Sequence, residues 1–254
     1  MDLQLTGRTA LITGGSKGIG FACAEALARE GCNLKLVSRS ESELQAAREQ
    51  ILAANDVKVD VLAIDMNGAG AAHQISERAG DYDFLVNNAG AVPGGPLAAV
   101  TEDVWRSSWD VKVFGYINLA REAMKVMKAR GEGVILNVIG VAGERPNAAF
   151  IAGSTGNAAL MALTRALGGT SMRNGIRVVG VNPGPIETER FISGLKAAAT
   201  KKFNDPDRWR ELVDADYPPG KPSQVGDLVA FLLSPRACHI SGTVIGIDGG
   251  AAAR

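Results

Sequence analysis

Histidine and cysteine are scarce in this chain of 254 residues, which holds two histidines (His73, His239) and three cysteines (Cys23, Cys32, Cys238). None falls at metal-ligand spacing, so a resident metal centre is not expected. An odd cysteine number with no paired framework excludes a disulfide scaffold, and the thiols read as packed side chains of a reducing compartment. Neither sign of charge is in excess, since 27 Lys and Arg face 27 Asp and Glu. That balance argues against nucleic acid or a membrane surface as a partner held by long-range charge. Apolar runs stay short of the ~20 residues a membrane-spanning helix needs. The opening Met1-Asp2-Leu3-Gln4 has neither the basic nor the apolar stretch of a leader. A cytoplasmic protein is expected. Aromatics are also few, at 5%, and the only tyrosines are Tyr82, Tyr116 and Tyr217.

Glycine and apolar residues are plentiful: 31 glycines, and 46% of the chain hydrophobic. The decisive stretch is Thr13-Gly14-Gly15-Ser16-Lys17-Gly18-Ile19-Gly20. It follows a short apolar run, Thr9-Ala10-Leu11-Ile12, and leads into a segment with Phe21, Ala24 and Leu27 at helical spacing. Gly14 and Gly18 suit backbone angles closed to other residues, and Gly20 allows helix and strand to pack closely. The free N–H groups and positive dipole end of the helix then face the turn, where a pyrophosphate can sit.

The next strand, 33–38, ends at Ser38-Arg39-Ser40. In a dinucleotide fold this place meets the adenosine ribose, where a carboxylate would bond a 2′-hydroxyl and a cation accommodates a 2′-phosphate. Arg39 and Lys17 are cations and no carboxylate stands there, which favours NADP(H) over NAD(H). Asp65 ends the third strand, placed to meet the adenine. A fourth strand, 82–86, runs into Asn87-Asn88-Ala89-Gly90, and a loop over 91–96 follows. Long helices are expected over about 101–130 and 150–172, with strands at 134–138, 176–181 and 243–250. Strands alternating with helices imply a parallel α/β sheet with right-handed crossovers. Residues 189–219, more polar and broken by Pro206, Pro218 and Pro219, read as a lid-like excursion. No repeat or linker divides the chain, so 1–254 reads as one domain.

Taken together, these motifs closely resemble the short-chain dehydrogenase/reductase family along nearly the whole chain. The carriers are the glycine stretch, Asp65, Asn87-Asn88-Ala89-Gly90, Pro183-Gly184 with Thr188, and Ile247-Asp248-Gly249-Gly250. The resemblance implies a Rossmann-type, doubly wound, seven-stranded parallel sheet, an NAD(P) cofactor and a homo-oligomer, dimer or tetramer. It implies a cofactor site from Gly14, Ser16, Lys17, Gly18, Ile19, Gly20, Arg39, Asp65, Asn87, Ala89, Gly90, Pro183 and Gly184. Ile186 and Thr188 would hold the nicotinamide carboxamide.

The family's reaction moves a hydride between nicotinamide and a carbonyl or alcohol carbon. A tyrosine exchanges the substrate's proton, a lysine four residues later lowers that tyrosine's pKa, a serine holds the substrate oxygen, and an asparagine completes a relay. At the matching places this chain carries Lys112 for the asparagine, Gly140 for the serine, Gly153 for the tyrosine and Asn157 for the lysine. A register shift of three would instead put Phe150 and Ser154 at the pair's places, and phenylalanine has no proton to give. No tyrosine lies between 117 and 216. The two glycines imply a void about the size of the lost side chains. Lys112 either points into that space as a desolvated acid or base, or snorkels to the surface. Three functions follow: an oxidoreductase with an atypical proton path through Lys112, water or the substrate, with Asn157 beside it; a non-redox dehydratase, isomerase or lyase; or a non-catalytic NADP(H)-binding subunit. The sequence names no substrate.

Overall fold

The computed structural model describes residues 1–90 and 92–253; Ala91, at the start of the loop expected over 91–96, and Arg254 lie outside the described residues. Seven short aliphatic runs form the strands: β1 (Thr9–Thr13), β2 (Asn33–Ser38), β3 (Val59–Ala63), β4 (Phe84–Asn87), β5 (Gly133–Val138), β6 (Ile176–Pro183) and β7 (Val244–Ile247). They build one sheet in the order β3-β2-β1-β4-β5-β6-β7. Every neighbouring pair is parallel. A parallel sheet is covered on both faces, so its inner strands are apolar throughout rather than alternating. All eight residues of β6 are buried accordingly.

Among the described residues, eight α-helices connect and cover the strands: α1 (Gly18–Arg29), α2 (Glu41–Leu52), α3 (Ala71–Ala79), α4 (Glu102–Trp109), α5 (Gly115–Arg130), α6 (Ile151–Ser171), α7 (Glu189–Phe203) and α8 (Pro222–Leu233). Ala10 and Ile12 of β1 pack with Leu27 of α1, Leu44 of α2 and Val229 of α8 on one face. Leu11 packs with Ile75 of α3 and Leu119 and Met127 of α5 on the other. The strand order reverses between β1 and β4, and the carboxyl ends of strands flanking such a switch form the ligand crevice of an open α/β sheet. No helix of the described residues is long and apolar enough to cross a membrane.

One expectation needs correction. The helix expected over 101–130 is not continuous: α4 and α5 are joined by a π-turn, Asp110–Phe114, in which the Gly115 N–H reaches the Asp110 carbonyl. The widened turn re-aims the side chains on it, and such turns recur at functional sites. The excursion over 189–219 is mostly helical, with α7 followed by a 3₁₀ segment, Pro206–Leu212.

Arg177, on β6, fastens the far side of the sheet. It is 7% exposed and donates to the carbonyls of Leu232 (2.8 Å), Leu233 (3.3 Å), Ser234 (3.1 Å) and Ile240 (3.3 Å). Its guanidinium thus closes the C-terminal end of α8, where orphan carbonyls and the negative dipole end both favour a cation.

Candidate active site and nucleotide cradle

The turn between β1 and α1 is built from both sides. Gly14 (φ 64°) and Gly18 (φ 59°) adopt left-handed angles, which glycine adopts without strain. The Gly14 N–H bonds the Val37 carbonyl at 2.7 Å. A Cβ on Gly20 would run into the Gly14 carbonyl. Just past β4, Asn88 donates to the carbonyls of Thr13 (3.0 Å) and Gly14 (3.2 Å), while the N–H groups of Asn88 and Ala89 both bond the Thr13 hydroxyl, at 2.9 and 3.0 Å. The start of α1 has no side-chain cap and no acidic residue in its first turn among the described residues. Its N–H groups are therefore open to an anion.

A carboxylate already stands beside this turn. Glu43 of α2 accepts from Lys17 Nζ at 2.9 Å and lies 3.3 Å from the Ser16 hydroxyl. The bond from Lys17 holds the Glu43 carboxyl below its ordinary pKa, and the charge of Arg39 acts in the same direction. Lys17, Ser16 and Arg39 thus converge on an internal anion, and the donors present fit a phosphate at the same place.

The other expected cofactor residues gather at this edge with one exception. Thr188 caps α7 by accepting from the Phe191 N–H at 3.2 Å, and its methyl lies 3.5 Å from where a Cβ on Gly18 would stand. Ile186 is buried and bridged to Gly220. Pro183 ends β6, and the Gly184 N–H bonds the Ile247 carbonyl at 3.1 Å. Asp65 is exposed and turns the chain by accepting from the Asn67 N–H at 3.0 Å. Ile19 packs its side chain on the core, which leaves its N–H for a ligand. The carbonyl of Gly90 accepts from Arg190 at 2.9 Å. Asn87 is the exception: fully buried, it donates to Asn137 Oδ1 at 3.0 Å, and Asn137 continues to Thr164 at 2.9 Å. Its side chain ties β4 to β5 and does not face the crevice.

Three side chains hold the end of β5, each on a successive carbonyl. Tyr116 donates to Val138 at 3.0 Å, Lys112 to Ile139 at 2.7 Å, and Asn157 to Gly140 at 3.2 Å. The Gly140 N–H reaches Asn182 Oδ1 at 3.3 Å, and Asn182 donates in turn to Glu144 at 3.3 Å. Lys112 therefore does not snorkel. The π-turn swings its stem across Gly90 and its ammonium onto the strand end. Burial, and secondarily the charge of Arg190, push its pKa down to about 8. Complete burial drives the phenol of Tyr116 far above the usual range.

The expected void is also absent. A Cβ on Gly153 would strike the ring of Phe150, and one on Gly140 would stand 3.0 Å from Asn157 Nδ2. Phe150 and Asn157 occupy the space that two glycines leave. Asn157 is 4% exposed, and its Oδ1 has no partner among the described residues.

Comparison with known proteins agrees with this architecture. Residues 8–197 match the short chain dehydrogenase family. The chain belongs to that family. It is 31% identical to the L-xylulose reductase of Mesocricetus auratus over 254 residues, covering 98% of each chain. It is 30% identical to the 3-oxoacyl-[acyl-carrier-protein] reductase FabG of Vibrio cholerae, again covering 98% of each. Among solved structures, L-sorbose reductase from Gluconobacter frateurii complexed with NADPH and L-sorbose superposes with a TM-score of 0.93 at 29% identity, covering all of both chains. All three are reductases by name, and the superposition on L-sorbose reductase extends over the whole single Rossmann-type sheet of this chain.

Two residues at the site, Glu43 and Arg190, were not singled out from sequence, and Thr13 and Asn88 were named only within motifs. Thr13 and Asn88 brace the turn, Glu43 faces Lys17, and Arg190 ties the start of α7 to the carbonyls of Gly90 and, at 2.7 Å, Val92. Asn88 lies inside a motif already noted. Glu43 and Arg190 sit on polar helix faces whose composition does not distinguish them from solvated surface.

Proposed function

We propose that this protein is an NADP(H)-dependent oxidoreductase of a carbonyl/alcohol pair, with Lys112 as the group that exchanges the substrate proton. NADPH, when bound, supplies a hydride to the carbonyl carbon. The Lys112 ammonium then delivers a proton to the oxygen, and the free amine takes one back in the reverse direction. The observation carrying this reading is the bond from Lys112 Nζ to the Ile139 carbonyl, next to the place of the missing serine. A pKa of about 8 suits proton exchange near neutrality. NADP(H) over NAD(H) is supported by Lys17 and Arg39, and by the NADPH bound to a relative of the same fold.

Phe150 over Gly153 and the uncharged Asn157 favour a second reading, in which the nucleotide binds without redox turnover, in a non-redox enzyme or a subunit of an assembly. The test is NADPH consumption with a panel of ketones and sugar carbonyls, run beside Lys112→Met. The first reading expects turnover in the wild type and a loss of about 100-fold or more in the variant, with NADPH affinity kept. Turnover unaltered in Lys112→Met overturns the role of Lys112. NADPH binding without consumption of any carbonyl selects the second reading.

Assembly as a homo-oligomer is part of the proposal. Trp105, Trp109 and Phe114 line a groove of about 600 Å³ on the outer side of α4 and the π-turn, and Phe114 is 49% exposed there. An exposed groove lined by aromatic rings suits a two-fold contact between copies. The segment 189–219, built from α7 and a 3₁₀ turn, is assigned the role of lid over the crevice.

A further inference from the structure

The exposed carboxylate of Glu43 and the cations around it set the terms on which a nucleotide enters. We infer that Glu43 is an internal stand-in for the 2′-phosphate, holding Lys17 and Ser16 until a phosphate-bearing nucleotide displaces it, and that it thereby tempers the preference for NADP(H). The inference rests on the assignment of the 2′-phosphate to Lys17 and Arg39.

The geometry has three parts. Both carboxylate oxygens are engaged, Oε1 by the Lys17 ammonium at 2.9 Å and Oε2 by the Ser16 hydroxyl at 3.3 Å. Glu43 sits in the first turn of α2, where Ser40 caps its own N–H at 3.2 Å. Backbone capping and the positive end of the helix therefore hold the carboxylate at the turn. Arg39, one residue past β2, adds a second positive charge that Glu43 feels.

A phosphate carrying close to two negative charges cannot share these donors with a carboxylate at contact distance. Lys17 must exchange one anion for the other, and Glu43 must turn out to solvent. The Lys17–Glu43 pair is exposed, at 63% and 44% of the two side chains, so the exchange is easy. The residual cost is repulsion between the carboxylate and the phosphate, which a neutral isostere abolishes. NADH, with a 2′-hydroxyl, leaves the Lys17–Glu43 pair intact and gains nothing from the change.

The experiment is nicotinamide-fluorescence titration of wild type and Glu43→Gln with NADPH and NADH, with calorimetric titration of 2′,5′-ADP. Glutamine keeps the length and position of the side chain, and an unaltered Tm verifies folding. The expected result is about tenfold tighter binding of NADPH and 2′,5′-ADP, with NADH unchanged. Unchanged or weakened NADPH binding in Glu43→Gln overturns the inference, as does an equal gain for NADPH and NADH. If the wild type prefers NADPH and the variant behaves identically, the inference fails and the cofactor reading stands. If the wild type shows no preference yet Glu43→Gln creates one, the proposed wild-type preference for NADP(H) fails, while the placement of the 2′-phosphate at Lys17 and the inference stand. Absence of any preference in both proteins overturns both.

Discussion

The ring of Phe150 lies where a side chain on Gly153 would begin. Phe150 is half-buried just ahead of α6, and Gly153 is buried in its first turn. The glycine is thus matched to the ring, and a methyl group added at 153 has to displace it. Gly153→Ala is expected to cost about 1–3 kcal/mol by overpacking, despite alanine's better helix propensity. In Phe150→Ala the same substitution becomes neutral or stabilising. Urea unfolding of the two single variants and the double variant measures the coupling, and additive effects would show that the two residues do not meet.

Much of the architecture follows from local pattern. Apolar runs such as Thr9–Thr13 and the eight buried residues of β6 can only be strands of a sheet covered on both faces. The glycine stretch places its turn because Gly14, Gly18 and Gly20 each meet a backbone requirement fixed within a few residues. The candidate active site is different, because its geometry depends on contacts distant in sequence. Helical periodicity over 101–130 does not reveal a π-turn at 110–114, since one extra residue in a turn barely disturbs the apolar pattern. Lys112 faces inward only because of that turn. Two glycines suggest an empty pocket, yet a neighbour three residues away fills one of them. Asn87 looks like its motif partner Asn88, and only the pairing of β4 with β5 turns one inward to Asn137 and the other toward Gly14.

Arg177 should be more important to stability than any surface ion pair. Arg177→Met keeps much of the stem volume but strands the carbonyls that close α8 and the following turn. A loss of about 3 kcal/mol or more is expected in urea unfolding. Arg177→Lys recovers only part of it, because an ammonium cannot fan out to four acceptors. By contrast, Arg106→Ala, which removes an exposed pair with Glu102, should cost well under about 1 kcal/mol.

The Trp105–Phe114 groove gives a direct test of assembly. Phe114→Glu places a charge on an exposed position of the π-turn, where the isolated chain tolerates it. If copies pair across this groove, light scattering on the variant reads a smaller particle than the wild type, with an unchanged circular dichroism spectrum. An identical mass for both proteins places any assembly elsewhere.

Lys112 predicts a pH dependence whose direction reverses with the reaction. Burial, with Arg190 adding like charge, lowers its pKa to about 8, so the ammonium predominates below that value and the amine above it. Carbonyl reduction needs the ammonium. Its rate should be level below pH 8 and fall roughly tenfold per unit above it, as expected for loss of a general acid. Alcohol oxidation needs the amine, and should rise through the same pH and then level off. Removing the neighbouring charge in Arg190→Gln should move both inflections upward, because the ammonium is then less disfavoured. Arg190 also fastens α7 to Gly90 and Val92, so its loss alters nucleotide affinity as well, and the position of the inflection is the diagnostic readout rather than the rate. An inflection that stays in place in Lys112→Met would assign the proton to another group.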